Sequence, residues 1–415
     1  MTMGRLTWRN LWRNRRRTGL TAGGIAFAVL LLCFAMSQQA GSYRLMIENG
    51  TTFMTGQIQI QAAGYQDDPR VERLVPDAQT LRERVEALPG VQAAAERVQA
   101  FALVSAGERT VAAQIIGVDP EREQEVSKLP GMVRVGQFFS AYTPESQPLD
   151  TRVPVMLGSG VARNLGVELG AEVVLLGTQP EGGIAALVGV VSGILDTGQA
   201  ELDRSLLLAP LDQVRQAWAL DTGAHALVVR TTTVDAVPEV QRGIETFLDE
   251  GIAVLPWQEL LPELEQTIAL DRVSNRLFYG LLALLVSFSI VNSFVMVVFE
   301  RTREFGLLMA MGMRPWRLLL MLELEALWLA LLGVVLGALL AWPLVAWTSE
   351  VGLPLGESAG IMLRRFHLPD RMYTALDAAA FLEPMLLMTA ATLVAALLPA
   401  LRVRRLSAVE ALHRV

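Results

Sequence analysis

Few residues in this chain of 415 have the type and spacing that chemistry requires. Lys128 is the only lysine, and it sits in "VSKLPG" rather than in a Gly-Lys-Ser/Thr loop. A phosphate loop needs that lysine beside backbone amides to hold the β and γ phosphates of a nucleotide. These residues therefore cannot hydrolyse ATP by that route. "GSGVAR" (158–163) lacks the third glycine of a dinucleotide fingerprint, and no G-x-S-x-G elbow occurs. Cys33 is the single cysteine, inside an apolar run, so no disulfide can form within the chain and any folded domain must hold by its own core. His225, His367 and His413 are too scattered for metal ligands, and carboxylates such as Glu263 and Glu265 read as a solvated helix face. No catalytic residue, bound cofactor, metal or nucleic-acid partner is expected.

Two carboxylates stand out because of where they lie. Glu323 and Glu325 interrupt an otherwise apolar stretch. A carboxylate at mid-bilayer costs about 2.5–3.5 kcal/mol on insertion scales, less where it can reach the interface. Both lie within about two turns of Arg317, so each is either a functional group or a snorkelling side chain. Gly19/Gly23 and Gly333/Gly337 have the G-x-x-x-G spacing that lets two helix backbones approach closely. Ser289, Asn292 and Ser293 gather polar groups on one side of another apolar run, suited to bonds between helices or back to their own helix.

The elements that must position these residues follow from composition. Hydrophobic residues make up 52% of the chain. A bilayer core of about 30 Å needs roughly 20 apolar residues as helix. Gly19–Ala40, Leu277–Phe299, Leu318–Trp347 and Ala378–Leu401 qualify, the third being long enough to tilt or to end early at Pro343. Residues 1–18 carry six arginines and no acid; 300–317 has a net charge of +2 and 402–415 of +3. Together these make +11 against −7 for the whole chain, so the rest carries −18. The positive-inside rule places all three basic segments in the cytoplasm. The expected fold is a polytopic α-helical membrane protein with four transmembrane helices and a large mixed α/β periplasmic domain between the first and second. A cleaved signal peptide fits poorly, since the uncharged stretch 18–43 is longer than a signal core, and Leu32 stands before Cys33 where a lipoprotein cleavage site needs a small residue.

Along the chain this gives an amphipathic cytoplasmic helix (1–18) with Trp8, Leu11 and Trp12 on one face, span 1 (19–43), the outer domain (44–275), span 2 (276–299), a cytoplasmic helix (300–317), span 3 (318–347), an outer loop (348–377), span 4 (378–401) and a cytoplasmic tail (402–415). Strand–helix–strand patterns at 52–119 and 221–257 flank a β-rich, glycine-rich insert at 120–220, which predicts one subdomain split in sequence by another. Residues 258–275 read as a helical stalk or a plain tether. In 300–317, Phe305, Leu308, Met309, Gly312 and Met313 recur at helical spacing among Arg301, Arg303, Glu304 and Arg314, and Pro315 is expected to stop the helix. Lying flat on lipid is one reading. Adaptable methionines, and glutamates that gain nothing from an anionic membrane, favour docking to a cytoplasmic protein.

"VVFERTREFGLLMAMGMRPWRLLLMLELEALWLALLGVVLG" (297–337) resembles the loop and third span of FtsX/MacB-type (type VII) ABC transporter permeases. Glu300, Arg303, Glu304, Gly306, Leu308, Gly312, Glu325, Gly333 and Gly337 occupy that pattern, while Met309 stands where a basic residue is usual. "PALRVRRLSAVEALH" (399–413) is similar to the family's ending, with Ala408 in place of its proline, and "RNLWRNRRRTGLTAGGIAFAV" (9–29) to its start. "PVMLGSGVARNLGVELGAEVVLL" (154–176) and "DTGQAELDRSLLLAPLDQVRQAW" (196–218), with Gly198, Glu201 and Asp203, resemble the lipoprotein-releasing LolC/LolE branch.

The resemblance implies a bacterial inner-membrane permease with both termini cytoplasmic. Its motions would be driven by two copies of a separate cytoplasmic ABC ATPase using ATP and Mg, with a second permease subunit as homo- or heterodimer. It implies ATPase coupling through Glu300, Arg301, Arg303, Glu304, Phe305, Leu308, Met309, Met311, Gly312 and Arg314, and span packing through Gly19, Gly23, Glu325, Gly333 and Gly337. Movement of the outer domain (mechanotransmission) would then extract or export a lipidated or amphipathic envelope substrate, with membrane lipid and a periplasmic adaptor or carrier as further partners. MacB-like efflux and an FtsX-like, non-transporting regulator are the alternatives.

Overall fold

Four helices of the computed structural model are long and apolar enough to cross a membrane. The structure describes residues 3–139, 152–354 and 371–403. The basic tail, His367, His413 and most of the outer loop lie outside the described residues. By spatial contacts the chain divides into a helical unit, residues 1–43 with 268–415, and a mixed α/β unit, residues 44–267.

The helical unit opens with α1 (Met3–Leu11) and a single 3₁₀ turn, Trp12–Asn14. Then follow α2 (Arg15–Gly50) and, after the α/β unit, α10 (Pro262–Glu300), α11 (Thr302–Ala310), α12 (Pro315–Val351) and α13 (Ala378–Val403). Stalk and second span are thus one helix, which at about 1.5 Å per residue reaches roughly 58 Å, well beyond a hydrocarbon core. Pro343 does not end α12, which runs on to Val351. In an apolar surround, neighbouring helices make a missing backbone bond tolerable.

The spans pack through small residues and a few hydrogen bonds. A Cβ placed on Gly333 would lie 2.7 Å from the Ile25 Cβ, and one on Gly337 would lie 2.5 Å from the Ala26 carbonyl oxygen. The α12 pair therefore admits the α2 backbone, as close helix packing in lipid requires. Gly19 and Gly23 differ, since a Cβ there would meet no atom within 4 Å. Their expected packing role finds no partner among the described residues. Ser293 bonds Thr21 at 3.0 Å, tying α10 to α2. Nearer the other end, the Tyr43 hydroxyl donates to Asp271 at 2.7 Å and the Tyr279 hydroxyl to Gln39 at 3.1 Å.

In the α/β unit, β1 (Ile58–Ala62), α3 (Ala78–Glu86), β2 (Val91–Ala106), β3 (Arg109–Val118), α4 (Pro120–Val126) and β4 (Val133–Gly136) come first. Next are β5 (Val153–Gly158), α5 (Ser159–Leu165), β6 (Glu172–Thr178), β7 (Ile184–Leu195), α6 (Ala200–Asp203) and β8 (Leu206–Pro210). α7 (Leu211–Trp218), β9 (Ala226–Thr231), α8 (Val237–Glu245), β10 (Ile252–Pro256) and α9 (Trp257–Leu260) complete it. The local chemistry is visible at α4, where Asp119 accepts from the amides of Glu121 and Arg122 and Pro120 fills the first helical position.

All ten of these strands belong to one sheet, in the order β10-β1-β9-β2-β3-β8-β5-β7-β4, with β6 bridging β2 and β7. Six strands therefore close into a ring, β2-β3-β8-β5-β7-β6. The expected insert is built into the same sheet as its flanks because the 16-residue β2 serves both. Its first half pairs with β9, and its second half pairs with β6 and β3. One apolar cluster draws on all six ring strands and receives Trp218 from α7. Gly177 leaves the space, since a Cβ there would stand 2.6 Å from the Trp218 ring.

Charged groups in this unit are buried in pairs. Arg97 and Glu123, both essentially inaccessible, meet at 2.5 Å, and Glu96 accepts from Arg82 and Arg215. Asp203 accepts from the Thr197 amide and hydroxyl at 2.9 and 2.7 Å, closing the turn through Gly198. His225 is fully buried and neutral. Its Nδ1 accepts from the Gln99 amide at 3.0 Å and its Nε2 faces the Val71 carbonyl at 3.1 Å. Burial outweighs the Val71 bond and the nearby Glu72 charge, and holds its pKa down to about 4, against 6.5 ordinarily.

Between pH 6.5 and 4 the unfolded chain binds a proton at His225 that the folded chain refuses, so stability falls as pH drops through that window. The expected loss is roughly 3 kcal/mol. Thermal melts of the purified protein should show His225→Gln to be less stable than the parent at pH 7.5, with the gap closing toward pH 4.

Candidate functional site

The site is built around α11, whose two ends are fixed by different means. At its start Arg301 is nearly inaccessible and makes two carboxylate contacts. Its Nη1 donates to Glu325 of α12 at 3.0 Å, and its Nε donates to Glu304 of α11 at 3.1 Å. The guanidinium also lies over the Phe305 ring, 5.4 Å from its centre. Glu325 thus answers a buried cation rather than snorkelling toward water, while one buried oxygen of Glu323 has no partner among the described residues.

At its end α11 stops before Pro315. The Met313 amide reaches back to the Leu308 carbonyl and the Gly312 amide to Met309, each at 3.0 Å. Gly312 has φ +93°. This is a Schellman stop, which wants glycine at that position and an apolar contact between the residues on either side. Leu308 and Met313 provide that contact within one cluster. Arg314 then turns extended and Pro315 begins α12 as its first residue, so the proline starts the next helix instead of ending this one.

The expected docking stripe divides in two. Phe305 is fully buried against Val298, Leu318 and Leu322, and Leu308, Met309 and Met313 pack half-buried on the same cluster. The ends of the protein's own spans therefore occupy the apolar stripe that helical spacing marks. What faces outward is Arg303, Glu304, Leu307, Ala310, Met311, Gly312 and Arg314. Leu307 and Met311, 56% and 68% exposed, form a free apolar surface between arginines. Leu307 is absent from the residues expected on sequence grounds.

The N-terminal arm supplies the remaining contacts. Arg17 pairs with Glu300 at 2.7 Å and Arg13 with Glu304 at 2.9 Å. Each pair of like charges is spaced four residues apart, so the two runs match in antiparallel register. That spacing was legible, but nothing in sequence says that residues nearly 290 positions apart lie side by side. Burial pushes the Glu304 pKa up, but the Arg13 and Arg301 bonds and charges outweigh it and hold the carboxyl below its ordinary value. Leu11 is buried among the spans, and Trp8 packs edge-on against Trp328 of α12 at 5.4 Å. The arm is therefore partly sunk into the helical unit.

Two family models match the chain. The FtsX-like permease C-terminal model matches residues 276–408. The MacB-like periplasmic core domain model matches residues 18–247. The lipoprotein-releasing system transmembrane protein LolC of Xylella fastidiosa is 26% identical over 319 residues, 74% of each chain. LolE of Haemophilus influenzae is 23% identical over 94% of this chain and 93% of its own. The macrolide export ATP-binding/permease protein MacB of Nitrosomonas europaea is 23% identical over 87% of this chain, but over only 54% of its own length.

Removing one partner of a buried ion pair costs about 3–5 kcal/mol, whereas removing both costs much less. Arg301→Met should lower the melting temperature of the detergent-solubilised protein by on the order of 10 °C. The double change Arg301→Met/Glu325→Met should recover more than half of that drop. A double variant no better than the single one would show that the pair does not brace the helix.

Proposed function

The chain belongs to the FtsX-like permeases that carry a MacB-like periplasmic core domain, and from that premise we propose that it is the membrane subunit of an ABC transporter driven by a separate cytoplasmic ATPase. The observation that carries this reading is α11 itself. It is braced at Arg301, stopped at Gly312, and presents Arg303, Leu307, Met311 and Arg314 beside the most basic segment of the chain. A short helix held this firmly passes an applied push on to α12 instead of absorbing it. ATP and Mg belong to the partner, because the single lysine leaves these residues without a phosphate loop of their own. Two permease subunits would engage two ATPase copies, with both termini and α11 cytoplasmic.

The α/β unit, placed in the periplasm, handles a lipidated or amphipathic envelope substrate in this proposal, and mechanotransmission moves it. Two observations support that choice over macrolide-type efflux. The lipoprotein-releasing relatives match over about three quarters or more of their length, the macrolide exporter over about half. The outer face of the strand ring also exposes Phe101, Leu103, Val174, Leu176, Ile184 and Val188. Leu103 lies opposite Leu176, and Val174 opposite Val188, so these residues form one patch across β2, β6 and β7. An exposed apolar patch of this kind on a folded domain marks an interaction surface, here for an amphipathic cargo or its carrier.

Leu307→Glu and Met311→Glu should each lower permease-dependent stimulation of the co-purified ATPase at least tenfold, with insertion unchanged. Unaltered stimulation in both would end the coupling reading. A reporter inserted after residue 310 should be cytoplasmic and one after residue 182 external; the reverse pattern would overturn the orientation. Leu176→Asp with Ile184→Asp should reduce release of a lipidated cargo from proteoliposomes several-fold while basal ATPase activity stays the same. Undiminished release would point to an efflux substrate handled elsewhere.

A further inference from the structure

A half-open cavity of about 220 Å³ lies within the helical unit, where α1, the first turns of α2, the end of α10 and α12 meet. Its depth is set by Arg17, the third residue of α2, and Glu300, the last of α10, so it sits at the charged boundary of the spans. The walls are split in character. Leu11, Phe294 and Leu329 face it from the apolar side, and Asn10, Asn14, Arg13, Arg17 and Arg301 from the polar side.

Neither Asn10 nor Asn14 has a side-chain hydrogen-bond partner among the described residues. Arg17 and Arg13 each commit one nitrogen to a single carboxylate oxygen, on Glu300 and Glu304. A guanidinium has five N–H donors, so most of theirs remain unused. Glu300 and Glu325 also line the cavity, but each already accepts from an arginine. The surrounding segments are strongly positive, +6 for residues 1–18 and +2 for 300–317. A cavity with spare amide and guanidinium donors, an apolar wall and a positive field suits a phosphate ester whose remainder is greasy. Basic pockets between transmembrane helices on the cytoplasmic side hold lipid headgroups by this means.

We infer that this cavity binds the phosphodiester headgroup of an anionic phospholipid of the inner leaflet, with Arg17 and Asn14 as its principal donors. Its leaflet rests on the orientation proposed above; its chemistry does not. The bound lipid would fill the gap between the N-terminal arm and α10 without displacing the Arg–Glu pairs, which occupy other donors.

The test is native mass spectrometry of the full chain, delipidated in detergent and without ATPase, titrated with phosphatidylglycerol or with phosphatidylcholine of the same acyl chains. The first phosphatidylglycerol should bind at roughly tenfold lower concentration than phosphatidylcholine. Arg17→Gln should weaken it about fivefold, as expected for the roughly 1 kcal/mol that one basic residue contributes near an anionic headgroup. Asn14→Leu, which leaves every ion pair intact, should weaken it in the same direction. Equal binding of the two lipids, or phosphatidylglycerol binding unchanged in both variants, would overturn the inference. Inorganic phosphate that displaces the lipid would assign the site to free phosphate instead; phosphate without effect supports the lipid. Because no ATPase is present, a negative result here leaves the coupling proposal standing, and loss of coupling leaves this result unaffected.

Discussion

The Arg301–Glu325 pair is the interaction on which the candidate site depends. An unpaired charge among apolar helices is costly, and two charges become tolerable there only when each answers the other. That requirement fixes where α11 begins, because Arg301 must reach Glu325 on the neighbouring helix. Once it does, Phe305 is carried under the guanidinium and into the cluster formed by Val298, Leu318 and Leu322. The exposed face of α11 is then what remains. Its identity is a consequence of the buried pair, not an independent property of the nine residues.

The N-terminal arm extends the same logic outward. Arg13 and Arg17 meet Glu304 and Glu300 at more exposed positions, where single pairs are worth little. Arg13 matters more than its own pair because it shares Glu304 with Arg301, which joins the arm, α11 and α12 into one charged network, while Arg17 ties the arm to Glu300 of α10 separately. Apolar contacts of Leu11 and Trp8 hold the arm in place, so the charges need only set its register.

Much of this was legible in sequence. Four apolar runs gave four long helices, and strand–helix–strand patterns marked 52–119 and 221–257, where β1, β2, β3, β9 and β10 lie. A Cβ on Gly333 or Gly337 would strike α2, whereas one on Gly19 or Gly23, with identical spacing, would meet nothing within 4 Å among the described residues. Spacing reports which residues share a face; it carries no information on what covers that face. The same limit explains the stripe of Phe305, Leu308 and Met309, and the split of a single sheet into two expected subdomains. Periodicity sees β2 as a strand, but not that 16 residues are enough for it to pair with different partners along its two halves. Gly312 is the opposite case. Its family pattern marked it, and the backbone gives the physical reason, a positive φ at a helix stop.

The sheet also sets a timetable. β1 lies between β10 and β9, with Ile58 opposite Pro256 on one side and Val229 on the other. Both partners are made long after β1 itself, the later of them just ahead of α10. At ribosomal speeds of about 5–20 residues per second, the interval between β1 and β10 is roughly 10–40 s. During that time Ile58 and Ile60, which end fully buried, have no strand to pair with and are open to anything nearby that binds nascent apolar segments. Folding of this sheet must therefore accommodate an early strand whose partners arrive last.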